Sequence, residues 1–463
     1  MVEAKTGVES SIIAIAMCAI LAIYLVFGWC NDFLCNFIAL SYATYTSLQG
    51  QGITGENIIT VANAIRDNKT FKTLDLVCNS IGGEGMKILI NALENNTTLT
   101  TLKLSNAGVD AEAAQHLANF LRNNMTITKL QLFNNEIGVK GAKHLADALR
   151  TNMTLTSIDL GLTKIGDEGT QHLADALRHN IGLTELYIQG NEIGDDGIQY
   201  LADALRYNMT LTTLGIFCNQ FGEKGARYLA DLLCYNETFK KIELRDNKIG
   251  SEGARHLANA LRKNTTLTTL QLDTNEIEDD GIQYLADALK NNMTLTTLSI
   301  GGNKLGDKGI EYIFNALKNN TILTSLSLSG NETKSSIAQN LADALSKNKT
   351  LTTLELGCNN IGDTGAQYMA DALKKNATLT KLDLTYNGIH DEGARYLANA
   401  LQKNTVLRNL DLQSNSIESE GAQYLVDALK NNRTLTELNV RGNLVEDDTQ
   451  ERINETLKKN TKL

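Results

Sequence analysis

The sequence predicts an α/β solenoid in which a short strand and a helix alternate at a fixed spacing. From Asn79 to Asn443 one pattern recurs every 28 residues without insertion or deletion. In a representative copy, alternating leucines precede Asn275 and a helical apolar stripe runs from Ile282 to Leu289. A constant period of this length is typical of a chain whose units bury their apolar faces only against their neighbours. Function is therefore expected on an extended, repeated surface.

Each strand is predicted to be short and buried on one face. In one copy Leu270 and Leu272 alternate with polar residues, which is the pattern of a half-buried strand. Ile277 then supplies an apolar side chain beneath the following loop. A glycine pair such as Gly138 and Gly141 stands in the turn, where a positive φ or a close backbone approach is expected.

The helix of each unit carries recognisable start and stop signals. Apolar residues at spacings of three and four between Ala226 and Leu233 form one stripe. Aspartates such as Asp195 and Asp363 stand at helix starts, where a carboxylate can cap free N–H groups. The asparagine that follows each helix, as at Asn292, is expected to adopt the left-handed conformation that ends a helix.

The order strand, loop, helix, loop predicts parallel strands with every helix on the same side of the sheet. Neighbouring strands lie about 4.8 Å apart, whereas neighbouring helices lie about 8–10 Å apart. This mismatch predicts a horseshoe with a concave parallel sheet and convex helices. We expect the protein to be a monomer.

The motif Leu-x-x-Leu-x-Leu-x-x-Asn, followed by a Gly-Asp-x-Gly-Ala turn and a helix, resembles the ribonuclease-inhibitor-like class of leucine-rich repeats. That class also forms the sensor region of NOD-like receptors and the body of Ran GTPase activators. The resemblance covers about residues 46–463 and implies that the concave face binds proteins. It also implies a ladder of asparagines that bond loop backbone between repeats.

Asparagine fills the ladder position in twelve of the fourteen copies, and Ala107 and Thr163 stand at the other two. The predicted ladder residues are Asn79, Asn135, Asn191, Asn219, Asn247, Asn275, Asn303, Asn331, Asn359, Asn387, Asn415 and Asn443.

The amino-terminal region has a different composition. We divide the chain into a tail (1–11), a hydrophobic helix (12–29), a linker (30–45) and the solenoid (46–463). As a helix, the uncharged run Ile12–Trp29 would span about 27 Å, close to the roughly 30 Å hydrocarbon core of a bilayer. It predicts a single-pass membrane anchor. A cleaved secretory signal and a buried N-terminal helix are the alternatives that remain open.

The side of the membrane on which the solenoid lies also remains open. Lys5 precedes the apolar run and no basic residue follows until Arg66, which favours an external solenoid. Cys78, Cys218 and Cys358 share one repeat position and are too far apart for disulfides, so they are interpreted as reduced thiols. Reduced thiols and the usual habitat of the resembled family favour the cytosol.

Composition and motifs argue against several functions. A net charge of −10 and a pI near 5.3 disfavour a nucleic-acid partner. We find no catalytic set, and the glycine-rich turns lack the Lys-Ser/Thr of a phosphate-binding loop, so no enzymatic activity and no cofactor are predicted. His116, His144 and His172 align in successive repeats and are interpreted as a half-buried packing position, so no metal is predicted.

The Asn-x-Thr triplets, for example at Asn152 and Asn292, arise from the repeat itself, and glycosylation is the alternative interpretation.

The candidate partner-binding surface is the concave strand face. Its predicted residues are Phe133, Tyr187, Phe217, Arg245 and Tyr386. Aromatic side chains bounded by charge are typical of binding hot spots, and the first three stand on strands near enough for one partner to cover. The sequence therefore predicts a non-enzymatic, membrane-tethered scaffold that binds a protein. A regulator of a small GTPase, by resemblance to Ran GTPase activators, and an immune-type sensor are the alternatives.

Overall fold

A computed structural model of the 463-residue chain describes residues 45–66, 68–331 and 338–460. The chain divides into two compact units, Met1–Asn191 and Glu192–Leu463.

The described part of the first unit consists of alternating strands and helices. Its strands are β1 (Tyr45–Ser47), β2 (Thr73–Asp75), β3 (Thr101–Lys103), β4 (Lys129–Gln131), β5 (Ser157–Asp159) and β6 (Glu185–Tyr187). Its helices are α1 (Ile58–Arg66), α2 (Gly82–Leu93), α3 (Ala111–Leu121), α4 (Gly138–Leu149) and α5 (Gly166–Leu177). Consecutive strands pair in parallel, and each residue lies opposite its equivalent in the next repeat, as Leu102 lies opposite Leu130.

The second unit continues with the same alternation. Its strands are β7 (Thr213–Gly215), β8 (Lys241–Glu243), β9 (Thr269–Gln271), β10 (Thr297–Ser299), β11 (Ser325–Ser327), β12 (Thr353–Glu355), β13 (Lys381–Asp383), β14 (Asn409–Asp411) and β15 (Glu437–Asn439). Its helices are α6 (Asp195–Leu205), α7 (Glu223–Leu233), α8 (Gly250–Leu261), α9 (Glu278–Leu289), α10 (Asp307–Leu317), α11 (Ala338–Lys347), α12 (Gly362–Leu373), α13 (Asp391–Leu401), α14 (Ser419–Leu429) and α15 (Asp447–Asn460). These strands are also parallel and in register, as Leu298 opposite Leu326 shows.

The core of each unit is made from the repeated apolar positions. In the β9 repeat, Leu270, Leu272 and Ile277 are completely buried, and so is Leu285 of the following helix. Small residues such as Ala288 are buried too, which allows helix and sheet to approach closely. The predicted α/β architecture of parallel strands and repeated helices is thus confirmed within each unit.

The strand-end asparagines bridge consecutive repeats. Asn135 Nδ2 donates to the carbonyl oxygen of Leu104 in the previous repeat at 2.8 Å and to that of Leu132 in its own at 2.7 Å. Its Oδ1 accepts from the backbone N–H groups of Ala107 and Val109. These bonds satisfy buried backbone groups that would otherwise be costly to leave unpaired.

The two interruptions of this series are accommodated differently. The Thr163 hydroxyl donates to the carbonyl oxygen of Leu160 at 2.6 Å, a bond that the asparagine amide makes in other repeats. Ala107 has no polar side chain, and its backbone carbonyl instead accepts from the Ile81 N–H at 2.8 Å. Thr163 therefore keeps one side-chain bond of the ladder and Ala107 keeps none.

A second series of asparagines follows the helices, and here the prediction of a left-handed helix end is wrong. None of these residues has a positive φ among the described residues. Asn292 Nδ2 donates to the Leu261 carbonyl oxygen at 2.7 Å, and its Oδ1 accepts from the N–H groups of Thr294 and Leu295. The buried members are Asn96, Asn152, Asn180, Asn208, Asn236, Asn264, Asn292, Asn320, Asn348, Asn376, Asn404, Asn432 and Asn460.

This second series of asparagines includes those of the Asn-x-Thr triplets, and their bonds decide whether a glycan fits. Asn152 Nδ2, the atom to which a glycan would be attached, is buried with its residue and donates to the carbonyl oxygens of Leu121 and Asn124. A glycan at this atom is incompatible with the folded repeat.

The aspartates at the helix starts act on the next repeat instead of their own. Asp195 Oδ1 accepts from the N–H groups of Gly222 and Gly225 at the start of α7, each at 2.8 Å. Asp363 makes the same pair of bonds to the start of α13. The carboxylates therefore cap the following helix and link repeats, which corrects the expectation that each caps its own helix.

The prediction of a single-pass membrane location is corrected. Within the described ranges, no helix combines the length and the apolar character needed to cross a bilayer. The longest of them, α15, has 14 residues and is strongly polar, so it spans only about 21 Å. The hydrophobic helix predicted at 12–29 lies outside the described residues, as do the tail at 1–11 and the linker up to residue 44.

Candidate functional site

Two matching groups of residues stand out on the strand face, the side of each sheet formed by residues that alternate with the buried leucines. The Phe133 patch, on β4–β6, consists of Phe133, Ser157, Asp159, Gly161, Tyr187 and Gln189. The Phe217 patch, on β7–β9, consists of Phe217, Lys241, Glu243, Arg245, Gln271 and Asp273. Each residue of the second patch occupies the position of its counterpart three repeats earlier.

Strand register assembles each patch. In the first unit, Asp159 lies opposite Tyr187 of the next strand. The pairing continues past the strand ends, because the Leu162 N–H donates to the Gln189 carbonyl at 2.7 Å. Gly161 and Gln189 are therefore neighbours. Because alternate residues of a strand point to the same face, both lie on the same face of the sheet as Asp159 and Tyr187.

In the Phe133 patch the Phe133 ring and the Gln189 amide pack against Gly161. A Cβ at Gly161 would lie 2.2 Å from Gln189 Nε2 and 2.8 Å from Phe133 Cδ2. Only glycine fits this position without movement of both side chains. Gln189 is 7 % exposed, its Nε2 donates to Asp159 Oδ1 at 3.1 Å, and its Oε1 is buried without a hydrogen-bond partner.

Asp159 is a carboxylate that is partly removed from water. Burial raises its pKa, and hydrogen bonds from the Gly161 N–H, at 2.9 Å, and from Gln189 partly oppose that rise. No cationic side chain among the described residues contributes to this pKa. The patch therefore offers a negative group beside two aromatic rings, those of Phe133 and Tyr187.

The Phe217 patch contains its own cations. The Arg245 guanidinium lies over the Phe217 ring, with Cζ 4.7 Å from the ring centroid, which is a cation–π geometry. Lys241 Nζ lies 2.7 Å from Glu243 Oε1, and Glu243 is 7 % exposed. Both the ring and the carboxylate of this patch are thus paired within the chain.

Unpartnered polar atoms concentrate in the two patches. Six buried side-chain nitrogen or oxygen atoms of the described residues lack a hydrogen-bond partner. Four of the six belong to the patches: Gln189 Oε1, Arg245 Nε, Gln271 Oε1 and Asp273 Oδ2. Each unmade bond costs about 1–3 kcal/mol, and three of these four atoms lie in the Phe217 patch.

The predicted partner-binding residues fall into three places. Phe133 and Tyr187 belong to the first patch, and Phe217 and Arg245 to the second, all of them half-buried. Tyr386 is not on the strand face. It is 57 % exposed and lies in the following turn with φ 53°, one residue beyond the Thr385 that continues the alternation.

Sequence reasoning missed Gly161 and Gln189 as site residues. Comparing positions three repeats apart would have revealed them, because Gly161 then aligns with Arg245 and Gln189 with Asp273.

The histidines of three successive repeats, His116, His144 and His172, are each half-buried on their helices. Elsewhere in the described residues, Glu223, Glu252 and His256 lie close enough together to suggest a cation site. Glu252, however, forms an ion pair of 2.6 Å with Arg255, and we assign no metal there.

Comparison with known proteins agrees with this architecture. The TMOD/LMOD leucine-rich domain matches residues 113–244 and 359–463, which together make up more than half of the chain. A leucine-rich repeat family matches 67–89, 95–118, 235–258, 263–286, 291–314 and 347–370.

Several solved structures align with the chain at low identity. The yeast Rad7–Elc1 complex aligns with 19 % identity and a TM-score of 0.50, covering 85 % of this chain and 90 % of that one. An internalin (inlF) from Listeria monocytogenes aligns with 21 % identity and a TM-score of 0.45, covering 77 % and 84 %. Leiomodin-1 actin-binding site 2 aligns with 18 % identity and a TM-score of 0.28, covering 40 % and 89 %.

Together, the repeat, the parallel strands and the family matches confirm a leucine-rich-repeat solenoid of the ribonuclease-inhibitor-like type, and the chain belongs to the TMOD/LMOD leucine-rich domain family.

Proposed function

We propose that this protein is a non-enzymatic scaffold that binds a partner protein through its strand face, at the Phe133 patch and at the Phe217 patch. The placement of half-buried aromatic rings beside carboxylates at matching strand positions is the observation that carries the proposal. Leucine-rich-repeat proteins are generally protein-interaction modules, and solenoids use extended repeated surfaces for binding.

The chemistry of the patches suits a protein partner. Half-buried aromatic rings offer a large contact area that loses little conformational entropy on binding, and the polar atoms around them add specificity. The positions of these groups are set by strand pairing and by the glycine at 161 instead of by flexible loops, so the surface is held ready before the partner arrives.

Family membership makes actin the first partner to test, because leiomodin-1, a protein of this family by name, contains an actin-binding site. The purified full chain would be titrated with actin monomers and co-sedimented with filaments. A partner co-purified and identified from the native host would be tested in the same way.

Two double variants test the patches: Phe133→Ala with Tyr187→Ala, and Phe217→Ala with Arg245→Ala. Loss of a hot-spot pair is expected to weaken partner binding by roughly 30-fold or more. Tyr207→Ala with Tyr235→Ala is the matched control, since these tyrosines are 70 % and 69 % exposed outside the strand face. If both patch variants keep their folded circular dichroism spectrum and full affinity, the strand face is not the binding surface.

The small-GTPase regulator and the immune-type sensor remain predictions from resemblance, and nothing observed on the described residues favours either.

A further inference from the structure

We infer that the Phe133 patch binds an arginine side chain of the partner protein. This inference rests on the proposed function, because it specifies what the partner must present at one part of the strand face.

The Phe217 patch supplies the internal precedent. There a phenylalanine, a buried carboxylate and two cations occupy neighbouring strands, with Arg245 Cζ 4.7 Å from the Phe217 ring centroid and Lys241 Nζ 2.7 Å from Glu243 Oε1. The same repeat frame therefore accommodates a guanidinium over a ring at this position of the strand face.

The Phe133 patch keeps the ring and the carboxylate but lacks both cations. Ser157 stands where the other patch has Lys241, and Gly161 stands where it has Arg245. Asp159 is left beside the Phe133 and Tyr187 rings, and no positive side chain in the described ranges lowers its pKa against the effect of burial. A positive group is the component that is missing.

The chain cannot supply that group from position 161. A Cβ on Gly161 would come within 2.2 Å of Gln189 Nε2, so a side chain there would displace the amide. Lys129, opposite Ser157 on β4, is exposed and does not contribute to the pKa of Asp159. The place over the Phe133 ring that corresponds to Arg245 is therefore left to a cation carried by another molecule.

Arginine fits the patch better than lysine does. The patch presents an aromatic ring and a carboxylate, and the Gln189 side chain, only 7 % exposed, donates to that carboxylate from within the chain. A guanidinium is planar, stacks on aromatic rings, carries five donors and is more weakly hydrated than an ammonium group. It can contact the ring while donating two hydrogen bonds to the carboxylate, which a single ammonium does less well.

The test uses the full chain and three synthetic peptides that differ at one residue in a Gly/Ser background. That residue is arginine, lysine or citrulline, which keeps the planar shape of arginine but has no charge. Binding is measured by surface plasmon resonance at neutral pH, up to millimolar peptide. The arginine peptide is expected to bind about tenfold more tightly than the citrulline peptide, and more tightly than the lysine peptide.

Variants of the patch locate the binding. Asp159→Asn removes the negative charge, and Ser157→Lys places an internal cation beside it, so each should weaken binding of the arginine peptide about tenfold. Asp175→Asn makes the same chemical change at an exposed position of α5 and serves as the control. Circular dichroism verifies the fold of each variant.

Equal binding of the arginine and citrulline peptides, no binding of the arginine peptide, or full binding by Asp159→Asn would each overturn the inference. The proposed function is tested separately, by measuring the affinity of the identified partner protein for the same variants. If the identified partner loses affinity for the Phe133→Ala, Tyr187→Ala variant but not for Asp159→Asn, the strand face binds the partner without an arginine. If neither variant affects the partner, the patch has no role in its binding.

Discussion

The Phe133 patch and the Phe217 patch use equivalent positions of one repeat and differ chiefly in charge. In the second patch Lys241 and Arg245 pair with Glu243 and with the Phe217 ring. In the first, Ser157 and Gly161 stand in place of both cations, and no cation in the part of the chain that the structure describes contributes to the pKa of Asp159. A repeated frame thus holds the same side-chain positions in both units, while the residues placed there decide whether the chain itself supplies a cation to the ring and the carboxylate.

The two patches also differ in the support beneath them. At the strand-end position, two residues after Arg245, the Phe217 patch has Asn247. At the equivalent position after Gly161, the Phe133 patch has Thr163. Asn247 Nδ2 donates to the carbonyls of Ile216, Leu244 and Arg245, and its Oδ1 accepts from the Asn219 N–H. Thr163 offers only a hydroxyl.

The largest effect is expected where this support is removed. Asn247→Ala should lower the free energy of unfolding by about 3 kcal/mol, because it removes buried bonds to two repeats. Thr163→Val, the matched change in the first unit, should cost only about 1 kcal/mol, since it removes one hydroxyl bond. Urea denaturation followed by far-ultraviolet circular dichroism measures both. Equal costs would mean that the two strand-end positions support their patches equally.

A smaller effect is expected from making the second patch resemble the first. Lys241→Met leaves Glu243 buried without its cation and should cost about 1–2 kcal/mol of unfolding free energy. The equivalent change in the first unit, Ser157→Met, removes no ion pair and serves as the control. A Lys241→Met variant as stable as the unmodified protein would show that the ion pair in the Phe217 patch contributes nothing net.

The smallest effect concerns pH. Because burial raises the pKa of Asp159, the folded state holds this proton more tightly than the unfolded chain, whose aspartates titrate near pH ~3.9. The resulting stabilisation is full below that pH and is lost as pH rises through the folded-state pKa. Asp159→Asn should therefore flatten the decline of stability with rising pH in this window, as measured by urea denaturation across a pH series. An unchanged profile would show that the carboxylate is well solvated.

The architecture was predictable because its signals are local and repeated. Leu270 and Leu272 alternate as a half-buried strand requires, and one unbroken period gives the pairing of every repeat with the next. The strand-end asparagines were expected through family resemblance, and the bonds of Asn135 show how such a residue connects its repeat to the preceding one.

The errors arose where a residue acts on a different repeat. Asn292 looked like a helix end, yet its amide bonds the carbonyl of Leu261 in the preceding repeat. Asp195 looked like a cap for its own helix, yet it caps the next. Tyr386 was misplaced for a simpler reason, because the chain turns with a positive φ directly after the strand and the alternation of faces ends there.

The sequence by itself determined the repeat length, the parallel strand–helix order and the buried apolar positions, because each follows from the side-chain periodicity within a single unit. The tertiary structure alone decided which polar atoms of the strand face find partners. Asp159, Gly161 and Gln189 meet only when adjacent strands pair, and whether a buried oxygen is satisfied depends on side chains a full repeat away.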